Sequence, residues 1–202
     1  MSPTNLRCWA AALTLLLAAL PAPAQTISRD ILASALRDGG FVIVMRHANS
    51  PREAPDAATA NADNTGRERQ LDAAGRRDSA AMGVALKRLK IPVNEVLCSP
   101  TYRARETARL LDVGKATPAG QLSNEGMSAT DEARSTWLRQ QVSRKPKAGG
   151  NRLLITHGPN ISAAFPEYSA GMTEGEALIF DPHGMNGSVM IQRIKIEDWS
   201  AL

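Results

Sequence analysis

Apolar residues recur along this chain in two rhythms that alternate. Residues 28–38 place Ile31, Leu32, Ala35 and Leu36 on one face at helical spacing, and Gly39 follows as a stop, which predicts a first helix. Five apolar residues in a row, 41–45, come next and end on Arg46-His47. A short unbroken run of this kind after Gly39-Gly40 reads as a strand buried on both faces, as in a parallel sheet. Residues 49–70 are polar, rich in Ala, Asn, Asp and Pro, and have no period, so they are expected to form a long loop. A loop of this length in a compact domain is usually functional or disordered, and this one leaves the Arg-His strand end, so it should border any site there. Helical period returns over 71–90, with Met82, Leu86 and Leu89 inward, Asp72 as cap and Pro92 beyond the end.

The alternation continues. Residues 93–98 read as a second strand and 101–111 as a helix, with Ser99 suited to the N-cap and Pro100 to the first helical position. A short strand over 115–119 precedes a helix over 128–143, where Ser128 and Asp131 stand at capping-box spacing with Asp in place of the usual Glu. A Pro/Gly-bearing turn at 145–151 leads to a third strand, Arg152-Leu153-Leu154-Ile155-Thr156, which ends on His157-Gly158. A short helix over 160–165 and two strands, 176–180 and 188–196, around a hairpin-like connection complete the pattern. No internal repeat, low-complexity tract or interdomain linker interrupts it. Strands alternating with helices predict an α/β sandwich with a mainly parallel sheet.

Charge and composition narrow the picture. The net charge is +4 and only 4% of residues are aromatic, with no long basic run, which does not mark a nucleic-acid binder. The N-terminus predicts an export signal. Arg7 supplies the positive flank, residues 8–20 form an apolar core too short to span a bilayer comfortably, and Ala22-Pro23-Ala24 fits a small-x-small cleavage site. The expected organisation is therefore a signal peptide over 1–24 and one domain over 25–202, periplasmic or secreted, with no stable membrane anchor after cleavage. Cleavage removes Cys8, which lies too early in the segment to be a lipoprotein site. Cys98 is then left without an intramolecular partner and reads as a buried strand thiol.

Chemistry gathers at three strand ends. Ligands of open α/β sheets bind at the carboxyl edge of the strands. The first strand delivers Arg46 and His47 there, a fixed anion receptor beside a nucleophile or proton carrier. Arg103 falls in the first turn of the helix after the second strand, where free backbone N–H groups and the helix dipole favour an anion. His157 ends the third strand, and Gly158 lets the backbone approach a ligand closely. Together these residues suggest work on a phosphate.

Arg46-His47-Ala48, the stretch Ser99-Pro100 through Arg103-Ala104 and Thr107-Ala108, and Thr156-His157-Gly158 resemble the histidine phosphatase, or phosphoglycerate-mutase-like, superfamily. The resemblance runs in order from about residue 40 to 160 and implies a three-layer α/β/α sandwich. It implies that His47 takes up the phosphoryl group and that Arg46, Arg103 and His157 surround it. Most family members have Gly where this chain has Ala48. Many take a general acid from a Glu two residues after a Leu beyond the second helix. Here Leu122-Ser123-Asn124-Glu125 puts Asn at that spacing and Glu one later, so Glu125 is the candidate acid, or else a surface acid before Gly126. Asn49 is a candidate phosphate ligand. Ser50, Arg52, Asn64 and Arg67 or Arg69 are further loop candidates, each also consistent with a solvated loop. His183, in a Pro/Gly turn, reads as an exposed loop histidine. No histidine pair has short metal-ligand spacing, and Arg46 beside His47 repels a cation, so neither metal nor cofactor is expected.

The function expected from these residues is an exported phosphomonoesterase acting on a small phosphorylated substrate through a phosphohistidine on His47. Export argues against a glycolytic mutase. The alternatives are a phosphohistidine or phosphoprotein phosphatase, and a phosphate-binding protein without turnover.

Overall fold

The computed structural model describes residues 27–124, 130–184 and 187–202. Helix α1 (Arg29–Asp38) is capped by Ser28, whose hydroxyl accepts from the Ile31 amide. It ends at Gly39, whose φ of 78° is open to glycine at little cost. Strand β1 (Val42–Arg46) follows, and the long loop leads to α2 (Ala73–Arg88), capped as expected by Asp72 on the Gly75 amide at 2.7 Å. Then come β2 (Val93–Cys98), α3 (Tyr102–Leu111), β3 (Ala116–Pro118), α4 (Asp131–Val142), β4 (Asn151–Thr156), α5 (Gly158–Ala164), α6 (Pro166–Ser169), β5 (Ala177–Asp181) and β6 (Val189–Ile194).

The six strands among the described residues form one sheet in the order β3-β2-β4-β1-β5-β6. The first four are parallel, while β5 runs antiparallel to both β1 and β6. Alternation along β1 separates two cores. Ile43 and Met45 face α1, α2, α3 and the C-terminal 3-10 turn with Trp199. Val42 and Val44 face α4 and α5, with Leu138, Ile161 and Phe165. The molecule is thus a three-layer α/β/α sandwich with a mainly parallel sheet.

Two helix starts differ from expectation. The N-cap of α3 is Thr101 rather than Ser99, so Pro100 lies before the helix; Ser99 is drawn instead into a tertiary contact described below. The N-cap of α4 is Thr130, which accepts from the Ala133 amide at 3.1 Å; Ser128 lies outside the described residues. Helix α5 starts at once after His157, two residues earlier than the pattern indicated.

Register brings the three chemical strand ends level. Arg46 pairs with Thr156 and Cys98 with Ile155, and the pairing continues through His47 N to Thr156 O (2.9 Å) and Ser99 N to Ile155 O (2.8 Å). Because β5 is antiparallel to β1, the chain leading into β5 arrives at this same edge. Arg46 N donates to Glu176 O at 3.0 Å, and Gly175 N donates to His47 O at 2.9 Å.

Candidate active site

His47, Arg103 and His157 are buried together, at 3%, 2% and 1% exposure. The imidazole centroids are 5.2 Å apart with the rings inclined by 64°. Arg103 lies between them. Its Nε is 3.3 Å from Nε2 of His47, and its Nη2 is 3.2 Å from Nδ1 of His157. A guanidinium only donates, so both of those ring nitrogens must carry lone pairs. The protons are then on the other nitrogens: Nδ1 of His47 donates to Ala48 O at 2.9 Å, and Nε2 of His157 donates to Ser99 Oγ at 2.8 Å.

Electrostatics agree with these neutral rings. Burial, opposed by the Ala48 carbonyl and reinforced by Arg103, Arg46 and Arg69, pushes His47 down to about 3. Burial, His47 and the same three guanidiniums push His157 down to about 2. A neutral imidazole with its Nε2 lone pair beside guanidiniums is able to attack an electrophilic phosphorus.

Arg46 joins from the end of β1. Its Nη1 donates to Met172 O at 3.0 Å and its Nη2 to Glu174 Oε1 at 2.9 Å, while its Nε is buried with no hydrogen-bond partner among the described residues. A Cβ on Gly158 would lie over this face of the guanidinium, 3.5 Å from Nε and at ordinary contact distance. Thr107 ties the β1 end to α3: its hydroxyl accepts from the Ala48 amide at 3.1 Å and donates to Arg103 O at 2.8 Å. Asn160 donates to Leu122 O, Ser123 O and Thr156 Oγ1, which fixes the segment carrying Asn124 over the strand ends. Asn124 Oδ1 accepts from Arg103 Nη2 at 3.4 Å.

The four residues Arg46, His47, Arg103 and His157 thus converge. Other sequence candidates do not join them. Asn49 turns its amide onto Asp72 at 2.5 Å, at the cap of α2. Asn64 folds the loop on itself through Glu68 and Gln70, and Arg52 and Arg67 are exposed. Arg69 does reach the site edge, donating to Pro51 O and Ser50 O and standing 3.7 Å from Glu174. Glu125 lies outside the described residues. His183 is exposed and bonded to Asp181, beyond the end of β5 that pairs with the start of β1. Among the described residues no three His, Cys, Asp or Glu side chains are placed to hold a metal ion. A separate cavity of about 560 Å³ between α3 and the β2–β3 edge is lined by Cys98, Tyr102 and Arg105, among others, and not by the four site residues.

Sequence reasoning missed Glu174, Thr107's double role and the Ser99–His157 bond. Ser99 carried a competing signal as a helix cap. Glu174 carried none, since an acid before a strand becomes a site residue only once that strand's partner is known.

A sequence match to the histidine phosphatase superfamily, branch 1, spans residues 42–146, just over half of the chain. No curated protein matches. Among solved structures the fold is similar to that of the protein histidine phosphatase SixA complexed with tungstate, at 19% identity and a TM-score of 0.54 over 77% of this chain and 97% of that one. It is also similar to phosphoserine phosphatase from Entamoeba histolytica in complex with 3-phosphoglyceric acid, at 12% identity and 0.52 over 78% and 98%. A third likeness is to mycobacterial glucosyl-3-phosphoglycerate phosphatase with inorganic phosphate, at 13% identity and 0.51 over 79% and 99%. With its histidines and arginines in one cluster and a superfamily match that covers Arg46, His47 and Arg103, this chain belongs to the histidine phosphatase superfamily and is a histidine-type phosphatase.

Proposed function

We propose that this protein is an exported phosphomonoesterase that hydrolyses a small phosphate ester through a phosphohistidine on His47, without a metal. The observation that carries the reading is the double contact of Arg103, which leaves His47 neutral with Nε2 facing the guanidinium side of the site. Nε2 attacks phosphorus as the ester P–O bond breaks, and the leaving oxygen takes a proton from the acid, for which Glu125 is the candidate. Water then attacks the phosphohistidine and returns a proton to the acid's carboxylate, the P–N bond breaks, and inorganic phosphate leaves with His47 neutral again. Arg46 and Arg103 stabilise the phosphoryl oxygens in both steps, and His157 packs beside them. Export rests on the Arg7 flank, the apolar core and the Ala22-Pro23-Ala24 site. The similar solved structures in complex with 3-phosphoglyceric acid and with inorganic phosphate support a small phosphorylated substrate.

A panel of phosphate esters assayed with EDTA and with vanadate tests the reading. Hydrolysis should survive EDTA and be blocked by vanadate, which mimics pentacoordinate phosphorus. Activity lost in EDTA and restored by zinc or magnesium would overturn it. N-terminal sequencing of the protein from the periplasmic or culture fraction should begin at Gln25, and an intact Met1 terminus in a cytoplasmic fraction would remove export.

A second reading is a phosphohistidine or phosphoprotein phosphatase. It is favoured by Asn124, an amide rather than an acid, on Arg103, which suits leaving groups that need little proton help. Faster turnover of a phosphohistidine-bearing protein than of any ester would select it.

A further inference from the structure

Glu174 stands where three groups of the site edge meet. Its Oε1 accepts from Arg46 Nη2 at 2.9 Å and lies 3.7 Å from Arg69 Nη2, and its Oε2 accepts from the Ser50 amide at 2.8 Å. Its backbone neighbours are tied to the end of β1 through Gly175 N to His47 O and Arg46 N to Glu176 O. Glu176 is in turn held by Arg193 and by the Thr173 amide, so the segment 173–176 is braced on both sides of Glu174. The carboxylate is only 16% exposed.

This arrangement has two physical consequences. Arg46 is clamped on its Nη edge by Glu174 and Met172 O, which lays the flat face of the guanidinium against the space beside Gly158. Glu174 also places a negative charge among cations, since the guanidiniums of Arg46, Arg69 and Arg103 all act on His47 and His157. Their combined field favours a bound phosphate dianion and disfavours its release.

We propose that Glu174 is the positioning residue of the phosphate site: its carboxylate orients Arg46, joins Arg69 and the Ser50 amide to it, and offsets part of the guanidinium charge so that product phosphate leaves. The inference rests on the phosphatase reading above and deepens it. Charge and position separate experimentally. Glu174→Gln keeps the length and an acceptor oxygen but loses the charge. Glu174→Asp keeps the charge but, one methylene shorter, cannot hold Arg46 and Ser50 together.

The experiment measures inhibition by inorganic phosphate and kcat on an aryl phosphate for the wild type and both variants, with thermal unfolding to establish folding. Glu174→Gln should bind phosphate at least about threefold more tightly, as expected for removing one charge near a dianion at a partly exposed site, and its kcat should fall. Raising the salt concentration should shrink that gain. Glu174→Asp should keep phosphate affinity within about twofold of wild type while kcat falls by about tenfold or more, since small misplacements of a positioned group are costly. A folded Glu174→Gln with unchanged or weaker phosphate binding would overturn the charge-offset role. A folded Glu174→Asp with wild-type kcat would overturn the positioning role. A wild-type protein that hydrolyses no ester and binds no phosphate would instead remove the phosphatase reading itself.

Discussion

Arg103 donates from Nε to Nε2 of His47 at 3.3 Å, and by that single contact decides which nitrogen of His47 carries the lone pair. The same side chain reaches His157 through Nη2, so one rigid fork orients two imidazoles. Lysine has one charged nitrogen and cannot take both positions. Arg103→Lys should therefore lower kcat by roughly 10²–10³, the cost of about 3–4 kcal/mol typical for one misplaced stabilising donor. His47→Ala should abolish turnover, and His183→Ala should leave it near wild type. Steady-state kinetics on an aryl phosphate check all three, and an inactive His183→Ala with an active His47→Ala would reverse the assignment.

The tautomers make a pH prediction. In the native state burial and guanidiniums hold His47 and His157 neutral down to about 3 and 2, whereas unfolded histidine takes a proton near 6.5. Between those limits the unfolded state binds more protons, so stability falls as pH drops below about 6.5 and goes on falling toward 3. His47→Gln should reduce the slope of unfolding free energy against pH, between 4 and 6, by close to one proton. Nitrogen-detected NMR at pH 5 should still show an Nδ1–H imidazole and an Nε2–H imidazole. Imidazolium signals from both buried rings at that pH would contradict the assignment.

Thr107 links the strand end to the helix that carries Arg103, accepting from the Ala48 amide and donating to Arg103 O. Thr107→Val keeps the shape and strands a buried backbone N–H. Such a loss costs about 1–3 kcal/mol, and because the Ala48 carbonyl also holds Nδ1 of His47, kcat should fall with stability. Thr107→Ser restores the hydroxyl and should recover kcat to near wild type. Urea unfolding and kinetics on the pair provide the test.

What the sequence makes legible here depends on how local the determining physics is. The first strand and its Arg46-His47 end are visible because a strand buried on both faces leaves an unbroken apolar run. Asp72 is visible as a cap because its partner, Gly75, is three residues away. Ser99 shows the limit. Its local signal is a helix cap, yet its hydroxyl, besides accepting from the Thr101 amide, meets a histidine 58 residues away, and Thr101 stands at the helix start. Asn49 is similar: it leaves the right strand end, but Asp72 captures its amide. Glu174 is invisible because the pairing of β5 with β1 is long-range, and no residue near it announces that partner.

Two glycines separate fold from site. A Cβ on Gly83 would lie 2.0 Å from Leu111 O, at the packing of α2 on α3, and one on Gly75 would lie 2.2 Å from Asn49 O, two residues beyond His47. Both clash with backbone, so the gain in helix propensity, at most about 1 kcal/mol, does not offset the strain of about 1–3 kcal/mol. Gly83→Ala should lower Tm with kcat near wild type, whereas Gly75→Ala should lower Tm and kcat together. Equal loss of kcat in both would mean that α2 packing as a whole, rather than the Asn49 backbone, sets the site.

The proton donor for the leaving group is tested through the leaving group itself. Asn124 Oδ1 touches Arg103 Nη2, and Glu125 is the residue that follows Asn124 in the sequence. An alkoxide is strongly basic and needs a proton as the P–O bond breaks, while an aryl oxide departs largely unaided. General acid catalysis is worth roughly 10²–10⁴ where it is needed. Glu125→Gln should therefore slow alkyl phosphates within that range and aryl phosphates by less than about tenfold. The phosphohistidine should still form from the aryl ester in that variant, and rapid quenching should trap it as an acid-labile, base-stable label on His47. Equal slowing of both ester classes would remove Glu125 from the acid role and would move the weight of argument to substrates whose leaving group needs no acid, with Asn124 then serving to orient Arg103.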